Sequence, residues 1–174
     1  MIILFLALAT TNAPETDMLA QFKSGKMLCS NPDTESKTCS TIDRLTVDTD
    51  SVLRDTGETL IAPDKPITLE TTSVVHMEAG AMCGVMEMAD LQKAIVRANG
   101  VPLPPDRNAM VIEKLSKVFE PLMGQKVCEG LRESDGQLIK IGQVERVDLP
   151  LPGKPARWIT PDEGYRVAPR PPQS

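Results

Sequence analysis

Hydrophobic and polar positions along this chain alternate in short blocks, and the blocks predict strands on either side of a helical middle. The clearest is 67–78, where Ile67, Leu69, Val75 and Met77 share one face at period two, with Thr71 and Ser73 between them. Glu70, Thr72, Val74, His76 and Glu78 occupy the opposite, mostly polar face, the habit of an antiparallel sheet wet on one side. Residues 26–30 and 38–42 flank a polar turn-forming stretch and predict a hairpin with a cysteine on each arm. Residues 44–49 alternate weakly as a strand, Asp55-Thr56-Gly57 predicts a turn, and a short strand begins at Thr59. Residues 125–131 predict a strand, Ser134-Asp135-Gly136 a hairpin turn, and 138–149 the return strand, with a bulge near Gly142 where the apolar face switches.

Helical spacing appears in three places. Met18, Leu19 and Phe22 form a short apolar stripe, with Thr16 as its cap and Gly25 as its stop. Val85, Met88, Leu91, Ile95 and Val96 predict a helix over 85–99 that ends at Asn99-Gly100. After the extended connector 101–105, Asp106 is placed to cap a second helix carrying Met110, Val111, Leu115, Val118 and Phe119, ended or kinked by Pro121. From residue 150 onward the composition changes, with seven of the 15 prolines, and two short extended pieces hold the only Trp and the only Tyr. Both rings are expected to lie against the domain.

These elements predict a small α+β domain: an antiparallel sheet with two central helices and a Pro-rich C-terminal segment. The organisation expected is a leader over 1–13, one domain over 14–168 and a loose tail over 169–174. Residues 1–9 are an unbroken apolar run ending in Ala7-Leu8-Ala9, like the core of a secretory signal peptide, although no positive charge precedes it.

Composition narrows the partners. With 19 basic against 24 acidic residues the net charge is −5, which argues against a nucleic-acid binder, and aromatics at 3% argue against base stacking. No apolar run reaches the length of a conventional membrane span, so no transmembrane anchor is expected once a leader is removed.

Cysteine arithmetic points to export. Cys29, Cys39, Cys83 and Cys128 are even in number, lack Cys-x-x-Cys spacing, and are accompanied by a single histidine, so disulfides are favoured over zinc or redox chemistry. Four cysteines allow three pairings. The short turn-rich loop favours Cys29 with Cys39, which leaves Cys83 with Cys128.

Catalytic chemistry is sought without success. His76 shares its strand face with Glu78 and Glu70, a polar face that solvent alone explains. There is no nucleophile elbow and no phosphate loop; Gly80-Ala81-Met82-Cys83-Gly84 lacks the spacing and lysine of one. Asp48, Asp50 and Asp55 lack the pattern of a calcium loop. Met77, Met82, Met88 and Met110 fall at core positions rather than in a soft-metal pattern. No cofactor-binding or metal-ligating residue is assigned, and the catalytic residues, if any, are unknown. The function expected is an exported, periplasmic or extracellular, non-enzymatic module that binds an unknown protein or small ligand. The alternative is a secreted hydrolase using scattered acids and His76.

Overall fold

In the computed structural model, residues 14, 16–48, 52–145 and 152–171 are described. The chain is mostly β, 47% strand and 22% helix, with a closed barrel of eight strands and one long helix. The expected α+β layout with two central helices is therefore corrected. In chain order the elements are α1 (Met18–Lys23), β1 (Met27–Ser30), β2 (Thr38–Cys39), β3 (Thr41–Val47), β4 (Leu53–Leu60), β5 (Ile67–Glu78) and β6 (Ala81–Val85). Next come α2 (Met88–Gln92), β7 (Ile95–Ala98), β8 (Val101–Pro102), α3 (Pro105–Phe119), β9 (Lys126–Ser134), β10 (Gln137–Val144), β11 (Lys154–Ile159) and β12 (Arg166–Val167).

Around the barrel the order is β4-β3-β1-β11-β10-β9-β6-β5, and β5 returns to β4 to close it. Every barrel pairing is antiparallel, and each strand pairs with the barrel strands next to it in sequence. This is an up-and-down barrel whose first and last strands meet, Met27 opposite Ile159. Closure removes the exposed edges that an open sheet must protect.

The helix expected over 85–99 does not form as one element. It divides into the end of β6, the single turn of α2, and β7, which pairs residues 95–98 with residues 67–70 of β5. The strand pairing and the burial of Val96 outweigh the helical spacing of the apolar residues. The longer helix, α3, begins with Pro104 at its cap and Pro105 in its first turn, so Asp106 is not the cap. Its buried side is Ile112 with Val111, Leu115 and Phe119, packed with Leu69, Leu91 and Val96. Met110 and Val118, expected on the apolar stripe, are exposed. Asn108 ties the helix to β7: its carboxamide oxygen accepts from Val96 N at 2.7 Å and its nitrogen donates to Ala94 O at 3.1 Å.

Two other differences are local. Asp17, not Thr16, caps α1, its carboxylate accepting from Ala20 N at 3.1 Å. Asp55-Thr56-Gly57 lies inside β4 rather than in a turn, and β10 pairs with β9 in unbroken register through Gly142, without a bulge. Asp135 and Gly136, with φ of 52° and 72°, make the tight turn between those two strands.

The helix α1 stoppers one end of the barrel. Met18 and Phe22 pack with the inward-facing Leu28, Met82, Leu138, Ala156 and Trp158. The Phe22 ring meets the Trp158 indole edge-on, centroids 4.9 Å apart. The outer wall at β1 is covered by the C-terminal segment, where Ile159, Tyr165 and Val167 bury Cys29, Cys39 and Ile42, and β12 pairs in parallel with β2.

Cys29 and Cys39 form one disulfide, with Cα atoms 5.6 Å apart, and Cys83 and Cys128 form the other, at 4.1 Å. Cys83 and Cys128 sit directly opposite each other on β6 and β9, stapling neighbouring staves that are separated in sequence by the helical insertion. The leader expected over 1–13 lies outside the described residues. Of the tail expected over 169–174, only 169–171 are described, and there Arg170 Nε lies 3.4 Å from an Asp33 carboxylate oxygen.

Candidate functional site

A barrel of eight strands is just wide enough either to fill with side chains or to hold one small ligand. Which outcome occurs depends on the residues at the inward positions. Toward the α1 end those positions are large and apolar, and the barrel is filled. Above that floor they become small or polar: Ser30, Thr41, Gly57, Thr71, Ser73, Gly84 and Gly142. Side chains of that size leave space, and a cavity of about 430 Å³ results.

The middle of the barrel carries charge. Lys140 Nζ donates to Asp43 Oδ2 at 2.7 Å and lies 2.7 Å from Glu129 Oε2. Lys140 and Asp43 are both buried. Burial alone pulls the Lys140 ammonium down. The Asp43 and Glu129 carboxylates outweigh it and hold the group above its ordinary value, fully charged.

Asp55 enters the same layer from β4, diagonally beside Asp43, and lines the cavity. Burial is the main reason its pKa is pushed up to about 8, the negative charges of Asp43 and Glu129 add to it, and Lys140 opposes. At neutral pH Asp55 is therefore protonated. Its Oδ1 has no hydrogen-bond partner, and neither does Ser30 Oγ, although Ser30 is only 1% exposed. Both residues line the cavity. A buried polar atom without a partner costs about 1–3 kcal/mol.

The open end lies opposite α1. There β5 has left β6, which pairs with it only over residues 75–78, and has joined β7 over residues 67–70. Residues of the helical insertion occupy the resulting gap, so that Leu91, Phe119 and Met123 join Ile61 and Leu69 as an apolar mouth. Glu87, Asp90 and Lys154 also line this region. The cavity is thus graded, with an apolar entrance, a polar and charged middle, and an apolar floor.

The residues singled out in the sequence lie elsewhere. His76 is exposed on the outer wall, its Nε2 3.3 Å from Glu78, and Glu78 also pairs with Lys126. The Lys126 ammonium, joined by His76, holds the Glu78 carboxyl below its usual range. His76, Glu78 and Cys83 come close enough together to resemble a metal site, but Cys83 is disulfide-bonded and its sulfur is not a free thiolate ligand. Glu70 pairs with Arg97 at 3.2 Å, well along the strand from His76. Of the three aspartates considered for calcium, the two that are described have different surroundings. Asp48 pairs with Arg54 at 3.3 Å, Asp55 faces the barrel interior, and Asp50 lies outside the described residues.

Sequence reasoning missed Asp43, Glu129 and Lys140, and weighed Asp55 only as a calcium ligand. One signal was present: Thr71 and Ser73 interrupt an otherwise apolar inward face, as expected where a barrel lining is polar and small. The chain matches no family model, no curated protein and no solved structure.

Proposed function

We propose that this chain is an exported, non-enzymatic binding protein that encloses one small amphipathic molecule inside its barrel. The observation that carries this reading is the cavity of about 430 Å³, whose wall carries a polar and charged middle that includes Asp55, Thr71 and Ser73. Its volume falls in the range of small-molecule sites, and a mostly apolar lining with a few convergent polar groups is their usual character. The graded lining matches a molecule with an apolar body and a polar head. Two disulfides support an oxidising compartment outside the cytoplasm. Among the described residues no helix is long and apolar enough to cross a membrane.

The test is uptake of N-phenyl-1-naphthylamine, an apolar dye whose fluorescence rises on leaving water. Saturable binding of one dye per chain is expected. Thr71→Phe, which places a ring in the cavity, should abolish uptake while the melting temperature stays close to that of the parent. Absence of uptake by the parent chain, or equal uptake by Thr71→Phe, overturns the proposal.

A further inference from the structure

We infer that the barrel prefers a cationic amphiphile, an organic ammonium whose positive head sits at Asp55 and whose apolar chain runs toward the mouth. This inference rests on the binding role proposed above and names its ligand class.

The argument is one of charge balance inside a closed space. Lys140, the one cation in the middle layer, already sits between two carboxylates, Asp43 and Glu129, at 2.7 Å from each. It has little positive charge left to offer an anionic ligand. Asp55 is the third carboxyl of that layer and lines the cavity. Nearer the mouth Glu87 and Asp90 stand against Lys154. Counted over the whole lining, acids outnumber bases, and an entering cation finds a negative interior with low-dielectric walls that intensify the attraction.

The neighbouring chemistry fits an ammonium head. Thr71 and Ser73 add hydroxyls to the same lining. An ammonium has three donors and no acceptor, and these groups supply acceptors. Below lie the apolar floor residues, and above lie Leu69, Leu91 and Phe119 for the chain. An anionic head would instead meet Asp43, Asp55 and Glu129 in the middle of the barrel.

Binding of a cation has a measurable proton signature. The groups facing Asp55 are Asp43 from β3, Glu129 from β9 and Lys140 from β10, and together with burial they keep it protonated at pH 7. A bound ammonium favours the carboxylate, so the Asp55 proton leaves to solvent as the ligand arrives. Neither octanol nor a naphthylamine dye supplies that positive charge.

The experiment titrates octylammonium chloride, 1-octanol and sodium octanoate into the purified chain at pH 7 by calorimetry, in two buffers of different ionisation enthalpy. Octylammonium is expected to bind about tenfold or more tighter than octanol, the scale of one charge-assisted hydrogen bond in a buried site. Up to one proton should be released per ammonium bound. Asp55→Asn, isosteric with the neutral acid, should lose the proton release and bind octylammonium no tighter than octanol. Thr71→Phe should lose all three ligands. Octanol or octanoate binding as tightly as octylammonium overturns the cation preference and leaves the cavity reading standing. So does failure of octylammonium to bind in a protein that takes up the dye. Failure of all three octyl compounds and of the dye overturns the cavity reading itself.

Discussion

Lys140 reaches into the interior of the barrel from β10 and donates its ammonium to Asp43 on β3, 97 residues earlier in the chain, at 2.7 Å. Two staves, β1 and β11, separate these strands around the wall. The bond is therefore a strut across the interior rather than a link along the sheet. Glu129, on the neighbouring strand β9, holds the same ammonium from the other side.

Removing one end of the strut should be expensive. Lys140→Met leaves Asp43, Asp55 and Glu129 facing one another without a cation. Breaking a buried pair in this way costs about 3–5 kcal/mol. Equilibrium denaturation with urea at pH 7 measures the loss. Lys140→Met combined with Asp43→Asn should recover part of it, because the stranded charge is gone. A single variant within about 1 kcal/mol of the parent would show that the strut carries little of the stability.

Asp55 makes stability depend on pH. Its folded pKa is raised to about 8, so the native state holds a proton that the unfolded state releases above about pH 4. Its stabilising contribution is complete below the unfolded pKa and is lost as pH rises toward 8. In that window each pH unit removes up to about 1.4 kcal/mol. Unfolding curves at pH 5 and pH 8 should show the chain weaker at pH 8, and Asp55→Asn should flatten the difference. A parent chain equally stable at both values would contradict the buried, protonated Asp55.

The two disulfides should contribute unequally. Their partners are 10 and 45 residues apart in sequence. Chain entropy gives about 3 kcal/mol for the shorter loop and about 4 kcal/mol for the longer one. The double variant Cys83→Ala with Cys128→Ala should therefore melt below the double variant Cys29→Ala with Cys39→Ala. Peptide mapping without reduction should recover Cys29 linked to Cys39 and Cys83 linked to Cys128; a peptide joining Cys29 or Cys39 to either later cysteine would refute the pairing.

His76 should matter little. Its side chain is 60% exposed on the outer wall. His76→Ala is expected to change stability by under about 0.5 kcal/mol, the usual range for surface substitutions, and to leave dye uptake unchanged. A loss of uptake in a variant with unaltered melting temperature would place the binding site on the outer wall instead.

Local chemistry in this chain was legible where one residue decides one geometry. The Asp135-Gly136 turn follows from two positions that must adopt positive φ. The two faces of β5 follow from period two, and its inward side is the one with Leu69, Val75 and Met77. The short α1 was legible from Met18 and Phe22, although its cap lay one residue further on.

Helical spacing misled over 85–99, because apolar residues three and four apart occur whether or not the chain coils. Pairing with residues 67–70 and the docking of α3 over Val96 decided that segment, and both partners are remote in sequence.

By itself, then, the sequence determined the Asp135-Gly136 turn, most of the strands, the period-two faces and the presence of four cysteines suited to disulfides. Tertiary structure alone decided that the sheet closes, since closure needs Met27 opposite Ile159 and β4 beside β5, and no local period records such pairings. It also decided the site. Asp43, Asp55, Glu129 and Lys140 read along the chain as ordinary polar positions, because a strand's alternation tells which residues share a face but not what that face encloses. Only when eight staves curve into a barrel do those side chains point at one another, exchange water for each other's charge, and border a cavity of about 430 Å³.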